Sequence, residues 1–290
     1  GRELIGTVKD ECETKFWISD DERWGLNAAD RPARSTPVRC IYGDTDSVFC
    51  ETPGLSIHAS ARMAIAMSTH FNAMLPAPHN LEFEKILWPF LLYRKKMYSG
   101  IQYEGSSKQG EDFMDGFGHG RGSLKSKGLA VVRRDNVQFI KGVMQSILKI
   151  ILEERDPAKA KQFVVETRQR LVAAILAVHD PVTKGADEGS DRMELKMFEQ
   201  SGSIANNRSL DDYAETAPAA VEVARRLRDL NPDDVAIAPG ARVNYYTVSN
   251  SAVAQKSKRA RTREEVVEKR LPLDLAHYMD QFDNKVAPLI

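Results

Sequence analysis

The chain has 290 residues and a mass of 32.5 kDa, and its 41 basic and 41 acidic residues cancel to a formal net charge of +0. Apolar residues make up 42% and charged residues 28%, which excludes a wholly disordered chain and leaves room for one large or two medium domains. No apolar run approaches the about 20 residues that a membrane span needs. The sequence begins without Met or a signal peptide, so we expect an intracellular protein that is a piece of a longer one.

The three cysteines are too few for a disulfide-built secreted scaffold or for an all-cysteine zinc site. Cys40 and Cys50 would face each other if the segment between them is a tight hairpin. We expect both to be reduced, half-buried strand residues.

The first part of the chain alternates between helix and strand patterns. The expected elements are a helix at 1–13, a polar loop at 20–37, strands at 38–42 and 47–50, a helix at 56–75, and strands at 81–86, 90–93 and 97–103. This order predicts an α+β fold, with a mainly antiparallel sheet that helices cover on one face.

The second part is mainly helical. The expected elements are a helix at 136–154 capped by Asp135, a helix that starts at Asp156-Pro157, a polar loop at 185–191, a helix at 218–230, a strand at 243–248 and a helix at 275–282. A Gly-rich stretch at 105–124 separates the two parts, and we interpret it as a loop rather than a phosphate cradle because no P-loop or dinucleotide spacing fits it. The expected domains are therefore residues 1–124, with a net charge of −3, and residues 125–290, with a net charge of +3.

The predicted hairpin carries two acids at its turn, Asp44 and Asp46. Residues two apart on a strand point to the same side, and hard divalent cations prefer such carboxylate oxygens. Aspartate also favours turns for purely structural reasons, and the residues alone favour that simpler interpretation. A calcium loop is excluded, because Phe49 and Leu55 stand where an EF-hand needs Gly and Glu.

The turn lies in a segment that resembles a known signature. Tyr42-Gly43-Asp44-Thr45-Asp46-Ser47 is similar to the palm motif of family B DNA polymerases, the group that contains the delta-type and herpesvirus-type replicative enzymes. Further segments resemble the palm and thumb of that family in the same order: Gly1-Arg2-Glu3-Leu4-Ile5, Leu81-Glu82-Phe83-Glu84-Lys85, Pro89-Phe90-Leu91-Leu92, Lys95-Lys96-Met97-Tyr98, Lys127-Gly128, Val132-Arg133-Arg134-Asp135-Asn136, Gly240-Ala241-Arg242-Val243 and Leu271-Pro272-Leu273-Asp274.

The resemblance implies a DNA-directed DNA polymerase that adds deoxynucleotides to a primer 3′ end with two Mg²⁺ ions. Asp46 would be the direct ligand of both ions, and Asp44 would line the same site. Residues 1–124 would form the C-terminal part of the palm and residues 125–290 the thumb. The implied partners are primer–template DNA, deoxynucleoside triphosphates and a processivity factor, and the implied location is the nucleus of a cell or of a virus-infected host.

Several motifs of the family are not in this sequence. An aspartate of an earlier palm strand, the fingers helix with its Lys-x-x-x-Asn-Ser-x-Tyr-Gly pattern and the exonuclease acids are missing. The resemblance therefore implies a palm and thumb fragment that lacks its N-terminal, exonuclease and fingers parts and is inactive alone.

Basic residues supply candidate DNA contacts. Lys95, Lys96 and Tyr98 suit the backbone of a duplex end, although a solvated strand end is the simpler interpretation. By resemblance, Lys127, Arg133 and Arg134 meet the duplex where the thumb begins, although Arg134 and Asp135 would also fit a local ion pair. A basic run at 256–263 is typical of solvated surface, with phosphate contact or a nuclear-import signal as alternatives.

Two other functions remain open from the sequence. A non-catalytic DNA-clamping module would keep the fold without the chemistry, and the intact acid pair argues against it. A metal-dependent phosphoesterase would need further ligands near the hairpin, for which Glu82 and Glu84 are candidates.

Overall fold

The computed structural model describes residues 2–18, 36–103, 122–133, 135–177, 195–230 and 237–290. The chain divides into two compact units, Gly1–Lys127 and Gly128–Ile290. The domain boundary expected at 124/125 falls inside a strand of the first unit, three residues before this division. The loops expected at 20–37 and 185–191, and most of the Gly-rich stretch at 105–124, lie outside the described residues.

Within its described residues, the first unit contains two helices and five strands. They are α1 (Arg2–Lys15), β1 (Arg39–Asp44), β2 (Ser47–Glu51), α2 (Ile57–Met74), β3 (Ile86–Arg94), β4 (Met97–Tyr103) and β5 (Ser123–Lys127). Strands β1 and β2 form an antiparallel hairpin, and β3, β4 and β5 form a second antiparallel sheet in that order. The α+β fold class predicted from the sequence is confirmed.

The two helices cover one face of the β1–β2 hairpin. Buried residues of α1, α2 and the segment just after α1 form a core. They are Val8, Cys12, Phe16, Met63, Met67 and Phe71, and Val48 and Cys50 of the hairpin pack against them. Helix α2 begins where Ser56 accepts a hydrogen bond from the Ala59 N–H (3.1 Å), as an N-cap serine does. This core fixes the hairpin on one side and leaves its other face for β3 and β4.

Aromatic side chains join the other face of the hairpin to the second sheet. Tyr42 and Phe49 are cross-strand partners in the hairpin, and both rings contact Tyr98 of β4. Phe90 of β3 stacks on Phe49 with a centroid distance of 5.6 Å. Each such pair adds about 0.5–1.5 kcal/mol beyond the area that it buries, so the cluster holds the two sheets at a defined separation.

One predicted strand is wrong. Residues 81–85 form no strand, and β3 begins only at Ile86. The Leu81 N–H donates to Asn72 Oδ1 (2.7 Å) and the Leu81 carbonyl accepts from Asn72 Nδ2 (2.9 Å), so a side chain of α2 satisfies this backbone in place of a neighbouring strand. The alternating pattern that suggested a strand arises because Leu81 and Phe83 are half-buried, whereas Glu82 and Glu84 are exposed.

The second unit is mainly helical. Apart from short 3-10 turns, the elements in its described residues are α3 (Gln138–Lys149), a π-helical turn (Ile150–Glu154), α4 (Pro157–Ala177), β6 (Gln200–Ser203), α5 (Ala219–Leu230), β7 (Arg242–Thr247), β8 (Ala260–Arg261), α6 (Arg263–Glu268) and α7 (Leu275–Lys285). Strands β6, β7 and β8 form a small antiparallel sheet, which the sequence analysis predicted only in part. No helix within the described ranges is both long and apolar enough to cross a bilayer.

The cap predicted for α3 is also wrong. The helix begins after Val137, whose side chain makes no capping hydrogen bond. Asp135 instead accepts two hydrogen bonds from the Arg133 guanidinium, at 3.1 and 3.0 Å. The charged partner two residues away therefore competes successfully with the helix N–H groups for this carboxylate.

Candidate metal and nucleic-acid site

The acidic turn of the hairpin is tight. Asp44 and Ser47 are the last paired residues, so Thr45 and Asp46 form a two-residue turn. Thr45 has a φ of 60°, and the Asp46 N–H donates across it to the Asp44 carbonyl oxygen at 2.6 Å. A β-branched residue at positive φ is rare and costs roughly 1–3 kcal/mol, so the surrounding structure imposes this conformation.

Asp44 lies on the sheet side of the turn and is largely enclosed. Its side chain is 12% exposed, and its Oδ1 lies 2.8 Å from Lys96 Nζ. The Thr45 hydroxyl donates to the same oxygen at 3.3 Å. The hydrogen bond and charge of Lys96 hold the pKa of Asp44 below its ordinary value, so this carboxylate stays ionised.

Asp46 lies on the solvent side of the turn. Its side chain is exposed and forms no ion pair or hydrogen bond with any residue that the structure describes. Its charge nevertheless helps to raise the pKa of Lys96, after the larger effect of Asp44. The turn thus presents one engaged and one open carboxylate beside a single lysine.

A second tight turn faces the first. Arg94 and Met97 close it, which leaves Lys95 and Lys96 at the tip, and Lys96 has a φ of 63°. The Lys96 N–H donates to the Tyr42 hydroxyl at 2.7 Å, so a residue of β1 fixes the position of this turn. Lys95 is exposed and has no ion-pair partner within the described part of the chain.

Tyr98 and Lys127 adjoin the lysine turn. They are cross-strand partners on β4 and β5, and Lys127 Nζ lies 5.9 Å from the centroid of the Tyr98 ring. Lys127 also contributes to lowering the pKa of Asp44. The structure therefore brings together Asp44, Asp46, Lys96, Tyr98 and Lys127 in the first unit, although the sequence analysis assigned Lys127 to the second domain.

The other predicted contacts belong to the second unit. The Arg133 guanidinium is exposed, and its bidentate pair with Asp135 raises its pKa. The structure shows Arg133 as a partner of Asp135, and the Arg134–Asp135 ion pair that the sequence analysis considered is not tested. Arg134 itself lies outside the described residues.

The basic run at 256–263 is folded rather than extended. Lys256 pairs with Asp280, Lys258 with Glu215 and Arg259 with Asp274, while Arg261 donates to two backbone carbonyls. Thr262 caps α6 in a reciprocal box with Glu265. Much of the positive charge of this segment is thus neutralised within its own unit.

The donor set of the hairpin suits a hard divalent cation. Asp46 offers two uncommitted oxygens, and Asp44 keeps a second oxygen besides the one that Lys96 contacts. Within the described ranges, no group of three or more His, Cys, Asp or Glu side chains is arranged to hold a metal ion. The turn can therefore supply part of a coordination shell in which water, phosphate or other protein groups complete the rest.

Sequence reasoning missed two interactions of this site. The Lys96–Asp44 ion pair and the hydrogen bond from Lys96 N–H to Tyr42 join residues more than 50 positions apart. Tyr42 and Asp44 are two residues apart on β1 and therefore lie on one face of the strand. This spacing was the sequence feature that could have indicated a shared partner, which the structure shows to be Lys96.

Comparison with known proteins identifies the class. Residues 1–290 match the family model of DNA polymerase family B, and the chain therefore belongs to this family. It is similar to the catalytic subunits of DNA polymerase delta from Candida albicans and Bos taurus, each 28% identical over 281 residues, and from Oryza sativa, 29% identical over 282 residues. The matches cover 97% of this chain but only 21 to 22% of each relative, so the chain spans about a fifth of their length.

Proposed function

We propose that this chain is the palm and thumb part of a DNA-directed DNA polymerase and carries part of its two-metal site. The observation that carries the proposal is the pair of acids on the strained turn after Tyr42, with Lys96 against one of them. Membership of DNA polymerase family B supports it, because relatives that are DNA polymerase delta catalytic subunits match over 97% of the chain.

In this proposal, Asp46 is the direct ligand of the metal ions and Asp44 is the supporting acid. The open carboxylate of Asp46 supports the first role. The 12% exposure of Asp44 and its contact with Lys96 support the second, because a carboxylate that already has a cation partner competes less well for another. Bound Mg²⁺ would activate the primer 3′ hydroxyl and neutralise charge that develops on the α-phosphate of the nucleotide.

The chain's own residues prepare this site before any ion binds. Lys96 keeps Asp44 ionised and directed toward the lysine turn, and the Tyr42 hydroxyl fixes the backbone of that turn. The half-buried aromatic rings of Tyr42, Phe49 and Tyr98 pack between the two sheets and hold the turns in place. These contacts reduce the reorganisation that assembly of the site requires.

Primer–template DNA is the proposed partner of the basic residues. Lys95, Lys96, Tyr98 and Lys127 would contact the primer backbone near the acids, and Arg133 and Arg134 would contact the duplex at the start of the thumb. An ammonium group has three donors, so Lys96 can hold Asp44 and still donate to a phosphate. Contacts to the backbone give affinity without sequence preference, as copying any template requires.

We further propose that the 290-residue chain binds duplex DNA weakly and does not extend primers. Two carboxylates on one turn do not form a complete two-metal site, and the sequence lacks the family's fingers pattern for the incoming nucleotide. The remaining parts of the same polypeptide, a processivity factor and a nuclear location belong to this proposal as features of the complete enzyme.

Primer extension and metal mapping test the proposal together. We expect no template-dependent nucleotide addition by the 290-residue chain, and measurable binding of a primer–template by fluorescence anisotropy. Paramagnetic Mn²⁺ should broaden the NMR signals of residues 44–47 in the wild type but not in Asp46→Asn. Glu51→Gln, which changes a carboxylate at the opposite end of the same hairpin, should keep the broadening. Broadening that persists in Asp46→Asn would remove Asp46 from the metal site.

A further inference from the structure

All three cysteines of the chain meet at one place, between α1 and the β1–β2 hairpin. Cys12 of α1 is fully buried, and its Sγ lies 3.7 Å from the Sγ of Cys50 on β2. Cys40 on β1 is the cross-strand partner of Cys50 and is half-buried. Cys50 is therefore the shared neighbour of the other two thiols.

Non-covalent contacts around the thiols hold α1 against the β1–β2 hairpin. The Cys40 N–H donates to Glu13 Oε1 of α1 at 3.3 Å, and Lys9 pairs with the same glutamate. Cys12 and Cys50 both belong to the core that α1, α2 and β2 share. The 3.7 Å between the two sulfurs places them near bonding distance, and α1 and β2 already contact each other.

We propose that Cys12 and Cys50 form a disulfide when the chain is exposed to a low-molecular-weight disulfide. Cys40 is the thiol that reacts first with this reagent. This site is separate from the proposed polymerase function, because it depends only on the contacts of these three residues.

The chemistry proceeds by thiol–disulfide exchange. The Cys40 thiolate attacks the reagent disulfide and releases one reagent thiol, which leaves a mixed disulfide on Cys40. Cys50 attacks the Cys40 sulfur and releases the second reagent thiol, and Cys12 then attacks Cys50 and returns Cys40 to its thiol form. Overall, two protein thiols are oxidised to one disulfide, and one reagent disulfide is reduced to two thiols.

The same environment makes the reaction slow at neutral pH. Hydrogen bonding by Cys12, together with burial, raises the pKa of Cys50 to about 12. Hydrogen bonding by Cys50 and burial also raise the pKa of Cys40. Thiolates are the attacking species, so the site should resist brief oxidation and respond to sustained exposure.

Peptide mapping tests the assignment directly. The folded 290-residue chain is incubated with excess oxidised glutathione at pH 8.5, alkylated and digested with trypsin. Cleavage places Cys12 in peptide 10–15 and both other cysteines in peptide 40–62. We expect a cross-link between these two peptides and a loss of two of the three free thiols. An internal loop in peptide 40–62 as the final product, or three thiols that remain free, would overturn the proposal.

Matched variants separate the roles of the thiols. Cys12→Ser should give only the internal loop in peptide 40–62, because the final acceptor is missing. Cys40→Ser should keep the cross-link but form it roughly tenfold more slowly, since the reagent must then enter at Cys50, which packs against the core that contains Cys12. A rate for Cys40→Ser equal to that of the wild type would remove Cys40 as the point of entry. Oxidation in urea supplies the control, because an unfolded chain should give mixed pairings.

Discussion

Two basic segments that look alike in the sequence differ in what their charges contact. The turn at Lys95 and Lys96 leaves one lysine open and directs the other at Asp44 of the acidic turn. The run at 256–261 instead distributes its cations among acids and carbonyls of its own unit. A cluster of cations therefore indicates a nucleic-acid contact only when its partners leave donors available.

The ion pair of Arg259 with Asp274 shows the difference between the two segments most clearly. Arg259 Nη1 lies 3.0 Å from Asp274 Oδ2. The Asp274 side chain is 8% exposed and also caps α7 by accepting from the His277 N–H. This arginine stabilises the fold, whereas the exposed Lys95 pairs with no acid in the described part of the chain. We expect substitutions in the two segments to change different measurements.

The largest expected effect concerns the acid beside the first segment. In the complete polymerase, Asp46→Asn should reduce primer extension by about 10³-fold or more, because loss of one metal-ligand charge removes several kcal/mol of transition-state stabilisation. Binding of primer–template should stay within a factor of a few. Glu51→Gln is the control and should extend normally. Near-normal extension by Asp46→Asn would refute its role as the metal ligand.

The second prediction concerns the buried pair. Asp274→Ala should lower the free energy of unfolding by about 3 kcal/mol, since it removes a helix cap and leaves Arg259 without its carboxylate. Chemical denaturation of the 290-residue chain measures this. The matched control is Asp280→Ala, whose exposed pair with Lys256 should be worth less than about 0.5 kcal/mol. An effect of Asp274→Ala as small as that of Asp280→Ala would show that the pair with Arg259 does not stabilise the fold.

Local pattern predicted the hairpin, its acids and helix α2, because each depends on residues close in sequence. The strand expected at 97–103 matches β4 to the residue. Strand β5, Ser123–Lys127, was missed, because it is polar and lies at the end of a Gly-rich stretch, so neither periodicity nor β-propensity indicated it. Its pairing with β4 brings Lys127 to Tyr98, which local pattern does not encode.

The site was predictable to the same extent as the fold. Motif spacing identified Asp44 and Asp46. That Asp44 is engaged and Asp46 is open depends on Lys96, 52 positions after Asp44, and on the Tyr42 hydroxyl that fixes the lysine turn. In the basic run, the acids that neutralise the charge come from residues 215, 274 and 280, and the distance along the chain again hid them. Long-range partners, rather than residue type, decided which charges are open.

The third prediction addresses how the two turns are held together. Tyr42→Phe should lower the free energy of unfolding by about 1 kcal/mol, because the Lys96 N–H loses its acceptor while the ring packing is kept. Tyr103→Phe, at the end of β4 in the neighbouring sheet, is a control for loss of a tyrosine hydroxyl. An effect of Tyr42→Phe no larger than the control would mean that the lysine turn does not depend on this hydrogen bond.

The fourth prediction uses the pKa of Asp44. The pKa is held below 3.8, the ordinary value for aspartate, so the contact with Lys96 stabilises the fold above about pH 4 and is lost as the pH falls through the folded-state pKa. Lys96→Met should therefore melt below the wild type at pH 7, and the difference should shrink toward zero as the pH is lowered to 3. Thermal melts of both proteins at each pH measure this. A difference that does not change with pH would assign the effect of Lys96 to packing rather than charge.

The smallest expected effect returns to the two basic segments. Lys95→Ala and Lys96→Ala should each weaken primer–template binding and reduce the slope of log affinity against log salt by about 1, because one phosphate contact releases about one counterion. Lys256→Ala is the comparison and should leave the slope unchanged, because the proposed DNA contacts do not include this lysine, whose exposed partner is Asp280 of its own unit. Fluorescence anisotropy across a salt series measures both. The opposite result, in which Lys256→Ala reduces the slope and Lys95→Ala does not, would mean that the Lys256–Asp280 pair opens to bind DNA. Open donors in the free chain would then not predict where phosphate binds.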